Sequence, residues 1–149
     1  MSQTYIGSTL RTGSGTLTDS TDGGYVAVSQ TTTVTTLASG AASSSTITIP
    51  AYAQIIEFFV DCVTLPVAGG GTATAVNATI GTAAAGTQYL SSTDVISGGR
   101  AALSFTAAQL TAMSDVGTNQ SVVITVDPNG TVSTTQGVYR LTVVYAQKV

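Results

Sequence analysis

The sequence contains no histidine, no tryptophan, one cysteine and three prolines in 149 residues. Without histidine, neither a Ser-His-Asp nor a Cys-His nucleophile can be assembled. A lone Cys62 excludes an intrachain disulfide, and with no histidine beside it a zinc site of the usual kind is not expected. Charge is also scarce, at 7% of residues, against about 25% in ordinary globular chains. The four basic residues, Arg11, Arg100, Arg140 and Lys148, are far apart and the net charge is −3. A phosphate-binding face needs several such residues in a cluster, so no nucleic-acid partner is expected. No apolar run reaches the roughly 18 residues that a membrane helix needs, so no membrane partner is expected either. The start, MSQTYIGSTL, lacks a basic n-region and an apolar h-region, and no secretory signal of the usual kind is expected.

Thr, Ser, Ala and Gly take the place of the missing charges. The apolar fraction is 43%, enough to exclude disorder by composition, and the length suits one domain with a proper core. Residues 1–23 read as an N-terminal arm or tail and 24–149 as a β-sandwich domain. The arm's only sizeable apolar groups are Tyr5, Ile6 and Leu10, which are its expected docking contacts.

The densest apolar run, residues 46–65 (TITIPAYAQIIEFFVDCVTL), reads as a short strand, a corner at Pro50 and a long central strand. Period two puts Ile56, Phe58, Val60 and Cys62 on one face, and Ile55, Glu57, Phe59, Asp61 and Val63 on the other. Cys62 is then a small core residue. Upstream, Tyr25–Val28 reads as a short strand and Thr31–Leu37 as a separate edge strand or a strand with one wet face. Downstream, Thr72–Gly81, Tyr89–Leu90, Arg100–Phe105 and Ser121–Val126 read as strands, while 83–88 is ambiguous. Thr106 and Gln109 have capping-box spacing and predict a helical turn or two over 107–113. Asp127-Pro-Asn-Gly130 predicts a hairpin turn into Thr131–Thr134. In the last strand Tyr139, Leu141, Val143 and Tyr145 face in, and Arg140 and Thr142 face out. About eight short strands with almost no helix predict an all-β antiparallel sandwich, jelly-roll-like, with an immunoglobulin-like sandwich as the alternative.

No catalytic constellation emerges, so an enzyme is not expected. Glu57 and Asp61 share a strand face at about 13 Å, too far for paired-carboxylate work on a glycosidic bond. They read as solvated or interface-rim acids. Asp19, Asp22 and Gly23-Gly24 lack the remaining ligands of a calcium loop and read as a turn. Gly69-Gly70-Gly71 lacks the Lys and helix of a phosphate loop. The Asn-x-Ser/Thr triplets at Asn77, Asn119 and Asn129 read as chance in a Thr-rich chain. No metal and no cofactor are expected. Phe59 is the residue that asks for an explanation, because it points away from the core face. It needs cover from the N-terminal segment or from another subunit. With Ile55 and Val63 it would form an apolar oligomer interface.

The segments TITIPAYAQIIEFFVDCVTL (46–65), TATAVNATIGTAAAGTQYL (72–90), ISGGRA (96–101) and RLTVVYAQ (140–147) together resemble small virion structural proteins of tailed bacteriophages, of the capsid-decoration or head-fibre type. The shared features are a strand before an IP-x-x-A corner, a long apolar strand, an x-IGTA strand end and a final V-x-Y strand. The resemblance implies a capsid decoration (cement) protein, made in the host cytoplasm and resident on the virion's capsid surface. It further implies a homo-oligomer, a homotrimer by that likeness alone, with the major capsid protein as partner. It carries over no catalytic residue. A tail, fibre or head–tail connector component is the alternative within that class, and a carbohydrate-binding β-sandwich module is the alternative outside it.

Overall fold

A computed structural model of the chain describes residues 11–12, 15–16, 25–66, 74–114, 116–130 and 136–148. Two minimal strands, β1 (Arg11–Thr12) and β2 (Gly15–Thr16), pair with each other. The body contains β3 (Tyr25–Thr35), β4 (Ser43–Ile49), β5 (Gln54–Thr64), β6 (Val76–Gly81), β7 (Leu90–Asp94), β8 (Gly99–Arg100), helix α1 (Ala107–Ser114), β9 (Gln120–Pro128) and β10 (Val138–Lys148).

The pairings nest. Strand β3 pairs with β10, β4 with β9, β5 with β8 and β6 with β7, all antiparallel. The body is therefore one long hairpin whose tip lies between β6 and β7. That hairpin is rolled so that β5 also pairs with β10 and β6 with β9. Two four-stranded sheets result, β3-β10-β5-β8 and β4-β9-β6-β7. This strand order is that of the jelly roll, and rolling a hairpin satisfies backbone groups across two sheets without any parallel crossover.

Alternation fills the space between the sheets. Strand β10 sends in Tyr139, Leu141, Val143 and Tyr145, and β5 sends in Phe58, Val60 and Cys62. The facing sheet contributes Ile47, Ile49, Val76, Ala78, Ile80, Val122, Ile124 and Val126. Helix α1 begins with a reciprocal capping box: Thr106 N donates to Gln109 Oε1 at 2.8 Å and Gln109 N to Thr106 Oγ1 at 3.3 Å. Its Met113 is buried in the core.

Four expectations need correction. The faces of β5 are not set by simple alternation. The pairing with β10 slips between Val144 and Tyr145, so Ile56 and Glu57 together oppose one partner residue. Such a bulge inverts parity on either side of it. Ile55 is consequently a core residue at 4% exposure, while Ile56 faces outward at 53%. Residues 25–35 form one continuous strand rather than two, because β10 offers an unbroken eleven-residue register that carries the weakly patterned TTT segment along. Of the Arg100–Phe105 stretch only Arg100 belongs to a strand, the two-residue β8; Leu103 and Phe105 pack on the core without regular pairing. Finally, Asp127 and Pro128 belong to β9, paired with Asn77 and Val76. Both edges of β9 are taken by β4 and β6. The strand therefore runs through Pro128, and the bend begins after it rather than at Asp127. Gly130 does adopt a positive φ of 121°; residues 131–135 lie outside the described residues.

Candidate functional site

The outward face of the β3-β10-β5-β8 sheet carries the only clustered ionic chemistry among the described residues. Strand β5 runs between β10 and β8, so the residues flanking Asp61 are Arg140 on one side and Arg100 on the other. Both reach it. Arg100 Nε donates to Asp61 Oδ1 at 2.9 Å and an Arg140 terminal nitrogen to Oδ2 at 3.0 Å. A second Arg100 nitrogen lies 3.5 Å from Oδ2. The carboxylate is largely enclosed, with 12% side-chain exposure. Hydrogen bonding from Arg100 holds its pKa below the usual carboxylate range, with Arg140 adding to the effect and burial opposing it.

Asp61 is thus not the solvated acid the sequence suggests. A carboxylate that accepts from guanidinium groups on both sides is a poor base and a poor metal ligand. Its physical role is to tie three strands together. No group of three or more metal-ligating side chains occurs among the described residues.

Phe59 projects outward on the same face. The Arg100 guanidinium lies over its ring at 4.1 Å from the centroid, a cation–π geometry. The cover that Phe59 requires therefore comes partly from its own chain. Sequence reasoning missed this contact, since nothing in the spacing of residues 59, 61, 100 and 140 announces that they meet. Only the strand order brings them together.

Of the expected oligomer-interface residues, Phe59 and Val63 stand on the outward face and Ile55 does not. Val63 is 57% exposed. Ile56 takes the outward position that Ile55 was expected to hold, for the bulge reason given above. Leu65 is also exposed and lies against Gly98. The outward face of β5 thus runs Ile56, Glu57, Phe59, Asp61, Val63: apolar at both ends, with an arginine-clamped centre. The expected arm contacts Tyr5, Ile6 and Leu10 lie outside the described residues.

Cys62 faces the core beside Val60, and its thiol donates to the Thr64 carbonyl at 3.4 Å. Burial pushes its pKa up, which makes it an inert thiol. The Tyr139 hydroxyl lies nearby, buried, and its pKa is also pushed up by burial.

No family model, no curated protein and no solved structure matches this chain.

Proposed function

We propose that the chain is a structural virion protein of the capsid-decoration type, which assembles as a homo-oligomer on the capsid surface. The observation that carries the reading is the jelly-roll strand order combined with a surface almost without charge. Jelly rolls serve chiefly as capsid domains, lectins and cupins. A cupin site needs histidine ligands, and the chain has none. A poorly charged Thr/Ser surface suits permanent packing against neighbours better than life as an isolated particle. The subunit contact in this reading uses Ile56, Phe59 and Val63, with the major capsid protein beneath the assembly. The trimeric count rests on the family resemblance alone.

The experiment is co-purification with intact particles. Ile56→Arg with Val63→Arg places two charges on exposed positions, so the fold should persist while loading onto particles falls at least tenfold. Wild-type protein absent from purified particles would remove the reading, as would full loading of the double variant.

A second reading draws on two exposed tyrosines. Tyr25 stands opposite Lys148, and Gln54 stands opposite Ala146. Tyr25 and Tyr52 thus lie at one end of the sheet on either side of β10, both strongly exposed. Exposed aromatic rings are what a sugar-binding module uses for stacking. Saturable binding on a glycan array that is lost in Tyr52→Ala would favour this reading.

A further inference from the structure

Strand β3 is the edge of its sheet. It pairs with β10 over eleven residues without a register shift, and among the described residues no strand pairs with its other side. Natural edges of this length are blunted by lysine, proline, a bulge or brevity, because exposed ladder groups recruit another strand. The segment YVAVSQTTTVT has none of these devices.

The direction of its free groups can be deduced. In an antiparallel ladder a residue turns its N–H and C=O to the same side, and the side alternates along the strand. Just beyond β3, Thr36 N donates to the Gly137 carbonyl at 2.9 Å. Even-numbered residues therefore face β10, and odd-numbered residues face outward. The Thr35 carbonyl confirms the parity, since it accepts from Ser43 Oγ of β4, not from β10. Tyr25, Ala27, Ser29, Thr31 and Thr33 remain with outward ladder groups. Their midpoint is Ser29.

We infer that this edge pairs with the β3 edge of a second copy, antiparallel about a two-fold axis at Ser29. The contact would set Ser29 against Ser29, Ala27 against Thr31 and Tyr25 against Thr33. Each opposition joins outward-facing residues, so the ladder groups of both strands are satisfied together. The absence of any charge on β3 is what selects a second copy. A two-fold contact sets the strand against itself, where any charge near the axis would meet its like. The contact is isologous, and it joins the two copies' sheets into one of eight strands. It goes beyond the virion reading and does not depend on it. If the outward face also forms a cyclic contact, the edge doubles that ring.

The purified full chain tests this without any particle. Sedimentation at tens of micromolar should show an even number of copies. Ser29→Pro removes an outward N–H and leaves the β10 ladder intact, so it should halve the assembly mass with its circular dichroism unchanged. Because proline could still disturb the strand, a second variant reads the geometry directly. Ser29→Cys places the two thiols across a hydrogen-bonded pair at about 5.5 Å between Cα atoms, within disulfide reach. It should cross-link on mild oxidation, whereas Thr33→Cys should not. A monomeric or odd-numbered wild type overturns the inference. So does equal cross-linking at positions 29 and 33, or none at 29. If removing residues 1–23 converts a monomer into a dimer, the edge belongs to the chain's own N-terminal segment, which also overturns it.

Discussion

The two sheets treat their outward faces differently. On the β4-β9-β6-β7 sheet, the chain between β6 and β7 folds back over the middle of the face. Ala85 N donates to Thr125 Oγ1 at 2.8 Å, and Ser44 Oγ shares that hydroxyl at 2.8 Å. Even the outward-pointing Val123 is only 7% exposed. On the β3-β10-β5-β8 sheet no described segment lies across the face. The cover over Phe59 is the Arg100 side chain, and the ion pairs of Asp61 with Arg100 and Arg140 lie there. An outward sheet face can therefore be finished by backbone or by side chains. Only the second leaves a surface another molecule can reach, which is why the candidate contact lies on that side.

The covered face depends on a close approach of two glycines, and it should break most severely there. A Cβ on Gly81 would sit 2.5 Å from the Gly86 carbonyl carbon and 2.3 Å from Gln88 Oε1. The Gln88 amide could swing away, at the loss of its 3.1 Å hydrogen bond from Thr82 N; the backbone could not. Gly81→Val should destabilise the protein by about 3 kcal/mol, measured by urea denaturation. A loss of stability of less than a third of that would mean the fold-back is loosely held.

The open face should break at Asp61. Asp61→Asn keeps the shape but leaves two half-exposed arginines without their counter-charge. The loss should be about 1–2 kcal/mol, between the values for exposed and for buried pairs. Acid sharpens the test. The folded-state pKa of Asp61 lies below the ordinary carboxylate value, so the pairing contributes its full stability above that value. The contribution is lost as pH falls through the folded pKa, when Asp61 takes a proton. Melting temperatures followed from neutral pH down past pH 4 should therefore converge for wild type and Asp61→Asn. Parallel curves would show that the arginines do not act through the carboxylate's charge.

The fold class was legible because β4, β6 and β10 alternate without interruption, which buries Ile47, Ile49, Val76, Ala78, Ile80 and the inward residues of β10 from one face of each strand. The capping box was legible because Thr106 and Gln109 act locally. The face assignment of Ile55 and Ile56 was not, since both residues are isoleucine and the bulge is dictated by the partner strand. The Asp127–Gly130 segment misled for a related reason. Turn chemistry specifies a bend, but where the strand before it ends depends on the partner, and β6 holds Asp127 and Pro128 in the ladder. The Arg140–Asp61–Arg100 triad was least legible of all. Its members are 39 and 79 residues apart from Asp61, and their meeting follows from the roll of the hairpin rather than from any pattern along the chain.

The smallest expected effect compares the two faces with one chemical change. Val63 and Val123 both point outward, from β5 and β9 respectively. Val→Thr replaces a methyl by a hydroxyl with little change in volume. At Val123 that hydroxyl would be enclosed beneath the segment over β6 and β9, where a polar group without a partner costs about 1–2 kcal/mol. Threonine at 123 would lie opposite Thr46 and Gly81, and only Thr46 carries a hydroxyl to meet it. At Val63 the new hydroxyl would stand in water, and the change should stay within about 0.5 kcal/mol. Paired denaturation curves check this. Equal costs at both positions would mean that Val63 is already covered in the isolated protein, as it would be if a subunit contact on the outward face formed in solution. Repeating the curves at a tenfold lower protein concentration separates the cases, because only a subunit contact makes the Val63→Thr cost depend on concentration.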